Sequence, residues 1–430
     1  MRHCDKVTGM SDRTAATRVV GTIAVLVTVL LVSGCVRQGK PVPAHADLAA
    51  LDVGYYSVEP LTEPHVAENR YGRVVESVRM AEAVIDPVEA YPSLVFGLGA
   101  VRVAPLPTPV KTSGLLSAPV QAVLQRHGML AGFSVSGSDT EMAGSPIVGA
   151  ARMLTVMLLR FPDAESAGRA AQEIDAVDAA VSAENVPIAI PEHAAAHSHW
   201  RPTVPTLAAT MAHGSFVINV LAGHTTPDPA ALTGLASRAF GAQVARLRDF
   251  QPTPEDKIAA LPLDRDGMLR RVVPDKPGQW TFPAAIAPGS VRTAGWNAAI
   301  WPVGIVYGPR GAYLHSGRPL EGTERGQPQE SLATIGHHWV ARYATVAIAR
   351  AEFDAHAGDL TAAGVRPAPV PAGLPDTRCG ERLDGTEFAP RFRCEVLFGR
   401  YLAVVAGRTV TDAQQRAAAQ YAVLLNSESE

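Results

Sequence analysis

Helical periodicity first appears in the segment NRYGRVVESVRMAEAVI. The apolar positions that would share one helix face are Val74, Val75, Val78 and Ala81 or Ala83. The Asp86-Pro87 pair ends the pattern, because proline disfavours helical backbone in the residue before it. The spacing predicts a helix in this segment.

A nine-residue pattern of mostly apolar residues occurs twice. Arg152–Arg160 (RMLTVMLLR) is matched by Arg342–Arg350 (RYATVAIAR), 190 residues later. Each copy predicts a strand, and each precedes an Ala-rich helical pattern that opens at Asp163 or Asp354. Aspartate is a favoured N-cap because its carboxylate accepts the free amides of the first helical turn. We therefore predict a duplicated strand-then-helix unit.

A second unit of the same kind is also duplicated. Phe216–Gly223, followed by Asp228, is echoed by Tyr401–Gly407, followed by Asp412, 184 residues later. Helices are predicted to follow, over residues 229–249 and 412–425. The repeats cover only part of each half, so chance similarity is the alternative explanation.

The two halves are separated by the segment QPTPEDKIAALPLDRDGMLRRVVPDKPGQW, which has five prolines among mixed charges, a composition typical of a boundary. The predicted fold class is α+β: two related domains, each an antiparallel or mixed sheet packed against helices. The predicted boundaries are a lipoprotein signal peptide at 1–34, a lipid-anchored tether at 35–68, a first domain at 69–250, a linker at 251–278, and a second domain with a disulfide at 279–430.

The N-terminal segment has the features of an export signal. Arg13 and Arg18 precede an uninterrupted apolar run, Val19–Val32, which has the length of a signal-peptide core and is short for a membrane-spanning helix. Small residues then lie directly before Cys35 in LVSGC, an arrangement that closely resembles the bacterial lipobox. We expect Cys35 to carry a lipid that holds the protein on the extracytoplasmic face of the cell membrane. An ordinary secretory signal or a plain transmembrane anchor is the alternative, and Met10 is a second candidate start.

Composition restricts the class of protein and its partners. Hydrophobic residues make up 47% of the chain and charged residues 18%, a balance typical of globular proteins. The net charge of -3 provides no basic field to attract phosphate backbones, so nucleic acid is not expected as a partner. The expected partners are the membrane, through the lipid anchor, and an envelope protein, lipid or glycan.

Cysteine usage predicts one disulfide. Once Cys35 is lipidated, only Cys379 and Cys394 are left in the exported part of the chain, and an even pair in an oxidising compartment favours a bond between them. Closing a loop of about fifteen residues would stabilise the fold by about 3 kcal/mol in the chain-entropy model. A redox-active dithiol is the alternative, although it favours the shorter C-x-x-C spacing.

No catalytic motif was found: the sequence lacks G-x-S-x-G, H-E-x-x-H and the phosphate-binding P-loop pattern. The nearest approach to a metal site is His193, His197 and His199. His193 and His197 would share a face if they were helical, and neutral imidazole is a good zinc ligand. Pro191 and Pro205 frame this segment as a loop, and a solvated His-rich loop is the competing interpretation. No cofactor is expected.

Four of the five tryptophans lie in the first part of the second half: Trp280, Trp296, Trp301 and Trp339. Such a cluster could line a groove for a sugar, a lipid or a peptide, because aromatic side chains provide a large contact area. Core packing is the more ordinary role of tryptophans beside apolar strands. The sequence leaves both interpretations open.

The chain resembles actinobacterial two-domain lipoproteins of unknown function, of the mycobacterial or nocardial type. The resemblance is carried by the lipobox, by the RYGR…ESVRMAE segment, by the strand followed by FPDAESA, and by the terminal RC-x-V-x-x-GRY…AAQY segment. It implies a cell-envelope location and a duplicated domain, and it supplies neither an activity nor a catalytic residue.

A lipid anchor, two domains and no catalytic motif favour a noncatalytic binding or accessory protein on the outer face of the membrane. Two alternatives come from other classes. One is an envelope hydrolase or metal-dependent enzyme with an unrecognised site. The other is a structural spacer or a sensor ectodomain.

Overall fold

The computed structural model of the protein describes residues 45–98, 102–142, 146–286, 300–316, 329–361, 364–383 and 390–428. Residues 47–430 form one compact unit. The described helices are α1 (Asn69–Arg79), α2 (Pro87–Ala90), α3 (Pro109–Thr112), α4 (Val120–Arg126), α5 (Ala164–Ala179), α6 (Pro229–Leu247), α7 (Pro309–Ser316), α8 (Val346–Ala355) and α9 (Val410–Glu428).

The described strands of the first half are β1 (Phe96–Gly97), β2 (Val103–Pro105), β3 (Ala131–Ser138), β4 (Met153–Arg160), β5 (Val186–Pro187), β6 (His197–Trp200), β7 (Thr206–His213) and β8 (Phe216–Gly223). Those of the second half are β9 (Ala284–Ile286), β10 (Trp301–Val303), β11 (Ile305–Tyr307), β12 (Gln329–Ile335), β13 (His338–Tyr343), β14 (Val365–Ala368), β15 (Thr377–Arg382), β16 (Phe392–Phe398) and β17 (Tyr401–Gly407).

The two large sheets have the same topology. The first has the order β1-β3-β4-β8-β7-β6-β5, with β2 also paired to β3, and the second has the order β11-β12-β13-β17-β16-β15-β14. The six strands from β3 to β8 are therefore connected like the six from β12 to β17. Each sheet packs against helices, α5 and α6 in the first half and α8 and α9 in the second. The predicted α+β fold of two related domains is confirmed, and every strand pairing in the described residues is antiparallel.

The structure corrects the first predicted repeat. Arg152–Arg160 contains strand β4, but Arg342–Arg350 runs from the end of β13 across a turn into α8. The N-cap of α8 is Thr345, the counterpart of Asp163 at the start of α5, and Asp354 lies inside α8. These two caps are 182 residues apart, close to the spacing of the second repeat. The 190-residue alignment was wrong because the apolar residues after Thr345 begin a helix.

The second repeat and the first predicted helix are confirmed. Phe216–Gly223 and Tyr401–Gly407 are strands β8 and β17, and each is followed by a long helix. Asp228 caps α6 by accepting the amides of two residues in its first turn. Asp412 lies in the first turn of α9, which begins two residues earlier than predicted.

Strand β4 shows why the first sheet has such long apolar runs. Leu154, Val156 and Leu158 belong to a core that also contains side chains of the second sheet, whereas Met157 and Leu159 belong to a core built with α4 and α5. Side chains alternate between the two faces of a strand. Since both faces of β4 are covered, every position along it is buried and apolar residues are favoured throughout.

Residues 47–68, predicted as part of the tether, are folded onto the second half. Tyr56 is buried in a small apolar cluster that includes Val273. Asn426 of α9 donates a hydrogen bond to the Val58 carbonyl at 2.9 Å. These residues therefore belong to the folded body.

The segment predicted as the linker, 251–278, is folded as well. It contains short 3-10 turns, and its apolar residues Ile258, Leu263, Met268 and Val273 are buried. Its prolines and charges lie between these buried positions. We call residues 251–278 the junction segment below, because it passes from one sheet to the other while contributing to the core.

The predicted disulfide is present. Cys379 on β15 and Cys394 on β16 are directly opposite each other, with an S–S distance of 2.04 Å. The predicted signal peptide, 1–34, and Cys35 lie outside the described residues. Within the described ranges, every helix is too short or too polar to cross a bilayer.

Candidate binding cleft between the two domains

A cleft of about 300 Å³ lies where α1, the junction segment and strand β11 meet. The residues that line it are Val75, Val78, Arg79, Leu261, Pro262, Leu263, Arg265, Ile305 and Val306. Seven of these nine side chains are apolar, and the other two are guanidinium groups. Small-molecule sites are typically apolar clefts with a few polar groups, often at domain interfaces. The lining therefore has the composition of a ligand site.

The position of α1 depends on a close approach of two backbones. A Cβ atom on Gly72 would lie 1.9 Å from the carbonyl oxygen of Ile258 in the junction segment. Only glycine, which has no Cβ, allows the helix to pack at this distance. Val75 follows Gly72 by three residues, which places it on neighbouring helix surface. The close packing thus brings α1 and the junction segment, which form two walls of the cleft, into contact.

A buried ion cluster fixes α1 next to the cleft. The fully buried Glu76 accepts hydrogen bonds from Arg79 Nη1 at 2.5 Å and from Arg160 Nη1, at the end of β4, at 2.6 Å. Thr253 of the junction segment donates its amide at 3.0 Å and its hydroxyl at 2.7 Å to the same carboxylate. Burial lowers the pKa of the Arg160 guanidinium, and Glu76 acts against that shift. One carboxylate is thus shared by two cations.

The second cation of the cleft, Arg265, has a much weaker ion pair. Its Nε lies 3.8 Å from Asp266 Oδ2, and the same Asp266 oxygen is approached by Arg342 Nη2 at 3.3 Å. A Cβ atom on Gly308 would lie 3.0 Å from Arg265 Nη1 and 2.6 Å from Glu82 Oε1. The absence of a side chain at Gly308 lets both charged groups approach the start of α7.

Glu82 links the two domains at that point. Its carboxylate accepts the backbone amides of Arg310 at 3.2 Å and of Gly311 at 3.0 Å, at the N-terminus of α7. The Arg310 side chain in turn donates through Nε to the Val84 carbonyl at 2.8 Å and forms an ion pair with Glu89. A negative charge is stabilised at a helix N-terminus. Glu82 is therefore occupied in holding the second domain against the first.

A second buried polar network joins the N-terminal segment to α9. His338 Nδ1 accepts the Ala406 amide at 3.1 Å, and its Nε2 lies 2.8 Å from Arg416 Nη1 and 3.0 Å from Asp275 Oδ1. Arg416 contacts Asp275 at 3.2 Å and donates to the Tyr56 hydroxyl at 2.8 Å. Burial lowers the pKa of His338, with Asp275 opposing the shift and Arg416 adding to it. Both imidazole nitrogens are engaged, which indicates a structural role.

Comparison with protein families assigns both halves. Residues 63–263 match the N-terminal part, and residues 268–427 the C-terminal part, of DUF7373, a domain of unknown function. The chain belongs to the DUF7373 family. The two matched regions of this DUF7373 protein meet between residues 263 and 268, which is where Leu263 and Arg265 line the cleft.

Other comparisons add little to the family assignment. No curated protein matches the chain. A solved structure that is similar to part of it is the extracellular domain of PknH from Mycobacterium tuberculosis, with 11% sequence identity and a TM-score of 0.26. That match covers 44% of this chain and 100% of the other. A TM-score this low gives no information about the function of the DUF7373 domains.

The three histidines predicted as weak metal candidates have separate surroundings. His193 contacts the Ser237 carbonyl on α6 through Nε2 at 3.0 Å, whereas His199 on β6 pairs through Nδ1 with Asp175 on α5 at 2.8 Å. His197 begins strand β6, so the helical spacing considered for it does not occur. In the part of the chain that the structure describes, no group of three or more His, Cys, Asp or Glu is placed to hold a metal ion.

The predicted tryptophan cluster does not form the cleft of this DUF7373 protein. Trp339 on β13 packs against the shared core, Trp280 is half-buried, and Trp301 is half exposed opposite Ile286 on the β9–β10 ribbon. Trp296 lies outside the described residues. None of the three described tryptophans lines the cleft.

Sequence reasoning missed the cleft because its walls come from segments that are far apart in the chain. One local signal was available. Glu76 lies among the apolar residues of the predicted first helix, and a carboxylate in such a position requires a cationic partner when it is buried. That signal indicates a buried ion pair, but it does not identify Arg160 as the partner.

Proposed function

We propose that this protein is a lipid-anchored, noncatalytic binding protein of the cell envelope, and that its ligand occupies the cleft between α1, the junction segment and β11. The observation that supports this function is a mostly apolar cleft to which both family domains contribute. A ligand held there would contact both domains, and it would stabilise the folded protein by mass action.

The lipobox-like sequence around Cys35 supports the location. Eleven residues separate Cys35 from Asp47, where the compact unit begins. An extended chain of that length spans at most about 40 Å. A lipid on Cys35 would therefore keep the folded body close to the membrane, where apolar molecules are concentrated.

The anchor is tested by replacing Cys35 with serine in the full chain expressed in its own host. We expect the Cys35→Ser variant to lose metabolic labelling with palmitate and to leave the membrane fraction. A variant that keeps both the label and the membrane association would contradict lipidation at Cys35.

The cleft is tested by native mass spectrometry on residues 36–430, which contain the whole compact unit, exported from the native host behind a signal peptide without a lipobox and purified gently. We expect a reproducible added mass on the wild-type protein. Val306→Trp, which places a large side chain in the cleft, should remove that mass. Val181→Trp is the matched control, because Val181 is exposed and does not line the cleft.

Two results would contradict a ligand in the cleft. One is a wild-type protein that carries no added mass. The other is an added mass that survives in Val306→Trp while circular dichroism shows the variant to be folded. In the second case the bound molecule would lie elsewhere on the protein.

A further inference from the structure

We infer that the ligand of this cleft is a single-chain amphiphile with an anionic head group, a carboxylate or a phosphate, and that Arg265 binds the head group. The inference rests on the proposed function and names the ligand class for the same site. It is argued from the volume of the cleft, from the charges in its wall, and from the difference between its two arginines.

The volume limits the apolar part of the ligand. The cleft measures about 300 Å³, and an apolar cavity of about 150 Å³ holds one benzene ring, so there is room for roughly twelve carbon atoms. One slender alkyl chain fits this space. A four-ring steroid skeleton, with about seventeen carbon atoms, or a pair of twelve-carbon acyl chains would exceed it.

The charges in the wall determine the head group. The two charged lining residues, Arg79 and Arg265, are both cationic, and no carboxylate lines the cleft. Guanidinium groups bind carboxylates and phosphates through paired, charge-assisted hydrogen bonds, and a partly apolar setting strengthens such bonds. A neutral apolar ligand would form no such hydrogen bonds with the guanidinium groups.

Arg79 and Arg265 differ in how strongly they are already paired. Arg79 donates to Glu76 at 2.5 Å, to the Thr253 hydroxyl and to the Gln251 carbonyl at 3.4 Å. These bonds fix its guanidinium in the buried cluster. It contributes positive charge near the cleft while its Nη1 is held by Glu76 and Thr253.

Arg265, in contrast, has donors to spare. Within the described residues its ion pairing is limited to Asp266 at 3.8 Å, and Arg342 competes for that carboxylate. About half of the Arg265 side chain is exposed, which leaves it free to turn toward a ligand at the mouth of the cleft. The head group is therefore assigned to Arg265.

Glu82 lies next to Gly308, as Arg265 does, but it does not change this assignment. Its two oxygens accept the amides of Arg310 and Gly311, so its charge is directed at the N-terminus of α7. Negative charge is stabilised in that position. An anionic head group would meet Arg265 from the cleft, on the side lined by α1 and the junction segment.

The test uses isothermal titration calorimetry on residues 36–430 with three probes that have the same chain: dodecanoate, dodecyl phosphate and 1-dodecanol, each below the concentration at which it aggregates. We expect at least one of the two anions to bind about tenfold or more tightly than the alcohol, a difference of about 1.4 kcal/mol. Arg265→Gln should abolish this preference, and Arg265→Lys should keep part of it. Arg126→Gln, an exposed arginine that does not line the cleft, is the control.

The outcomes separate this inference from the proposed function. If dodecanol binds as tightly as both anions and Val306→Trp blocks it, the cleft binds apolar chains and the anionic head group is wrong. The same conclusion follows if Arg265→Gln keeps the preference for the anion. If none of the probes binds to the wild-type protein, both the inference and the proposed cleft function fail. A preference for one anion over the other identifies the head group as a carboxylate or a phosphate.

Discussion

Replacing Glu76 with glutamine tests whether the buried ion cluster holds α1 against the junction segment. The Glu76 carboxylate accepts hydrogen bonds from Arg79, from Arg160 and twice from Thr253. Glutamine keeps the shape of the side chain but removes its charge and turns one acceptor oxygen into an NH₂ donor. The two guanidinium groups would then lack their counter-ion, and one donor would face other donors.

The size of the effect follows from the burial of the two arginines. The Arg160 side chain is 7% exposed and cannot reach water, whereas the Arg79 side chain is 34% exposed and can turn outward. Removing one partner of a buried ion pair costs about 3–5 kcal/mol, because the other charge is left unpaired in the interior. We expect Glu76→Gln to lower the free energy of unfolding by about this amount, mainly through Arg160.

The assay is urea unfolding of residues 36–430 at neutral pH, followed by circular dichroism. Glu165→Gln is the matched control, since Glu165 pairs with Arg169 on the exposed surface of α5, where ion pairs contribute about 0.2–1 kcal/mol. Adding Arg160→Gln to Glu76→Gln should restore part of the lost stability. The double variant no longer buries the Arg160 charge without a counter-ion, and Arg79 can turn toward water. If Glu76→Gln costs no more than Glu165→Gln, the cluster does not hold α1 and the reasoning is refuted.

Three further predictions use the same protein. Gly72→Ala should lower the free energy of unfolding by about 1–3 kcal/mol through overpacking. Gly168→Ala in α5, where a Cβ would have no neighbour within 4 Å, should raise it by about 0.5–1 kcal/mol. Urea unfolding measures both changes. The double variant Cys379→Ser with Cys394→Ser should lose about 3 kcal/mol, measured against the oxidised wild type. Because the pKa of His338 is lowered in the folded state from 6.5, the unfolded chain binds a proton first, so stability should decrease as pH falls below about 6.5, and His338→Gln should flatten this part of the pH profile.

Each of these predictions has a result that contradicts it. A Gly72→Ala variant that is at least as stable as the wild type would show that the approach of α1 to the junction segment is not limiting, and a destabilised Gly168→Ala variant would contradict the second glycine prediction. An unchanged unfolding midpoint for the cysteine variant would remove the stabilising role of the disulfide. For the pH dependence, identical profiles of the wild type and His338→Gln between pH 7.5 and 5 would exclude His338 as its source.

The local parts of the fold could be predicted because they depend on residues close together in the sequence. The strand Phe216–Gly223 and the helix capped by Asp228 were predicted from an apolar run and an N-cap. The pairing of Cys379 with Cys394 followed from counting the cysteines that remain after the expected lipidation of Cys35. In each case a short stretch of sequence, or one residue type, contains the physical cause of the structure.

The error in the first repeat has a different origin. The residues after Thr345 are small and apolar, so they fit a strand or the buried face of a helix equally well. What decides between them is that the pairing of β13 with β17 stops at Arg342, opposite Tyr401, and that Thr345 caps the next helix. That strand pairing is tertiary, and it is not visible in the local pattern.

The tether and the linker were misjudged for a related reason. Residues 47–68 and 251–278 are rich in proline and charge, which favours exposed loops when the segment is considered alone. Both contain isolated apolar residues, such as Tyr56 and Ile258, that are buried by elements distant in the sequence. A few buried anchors with no period are enough to fold a segment onto a surface that already exists.

The position of the cleft is explained by the parts of the molecule that are not duplicated. Strands β2 and β11 occupy equivalent places at the edges of the two sheets, paired to β3 and β12. Among the described residues, α1 has no counterpart before β11, and the junction segment occurs once. Duplication alone gives two similar sheets with similar surfaces. A site that occurs once in the molecule must therefore use the single-copy segments. Arg79 and Arg265 both lie on such segments, and this is why we assign recognition to the cleft and a structural role to the repeated strands and helices.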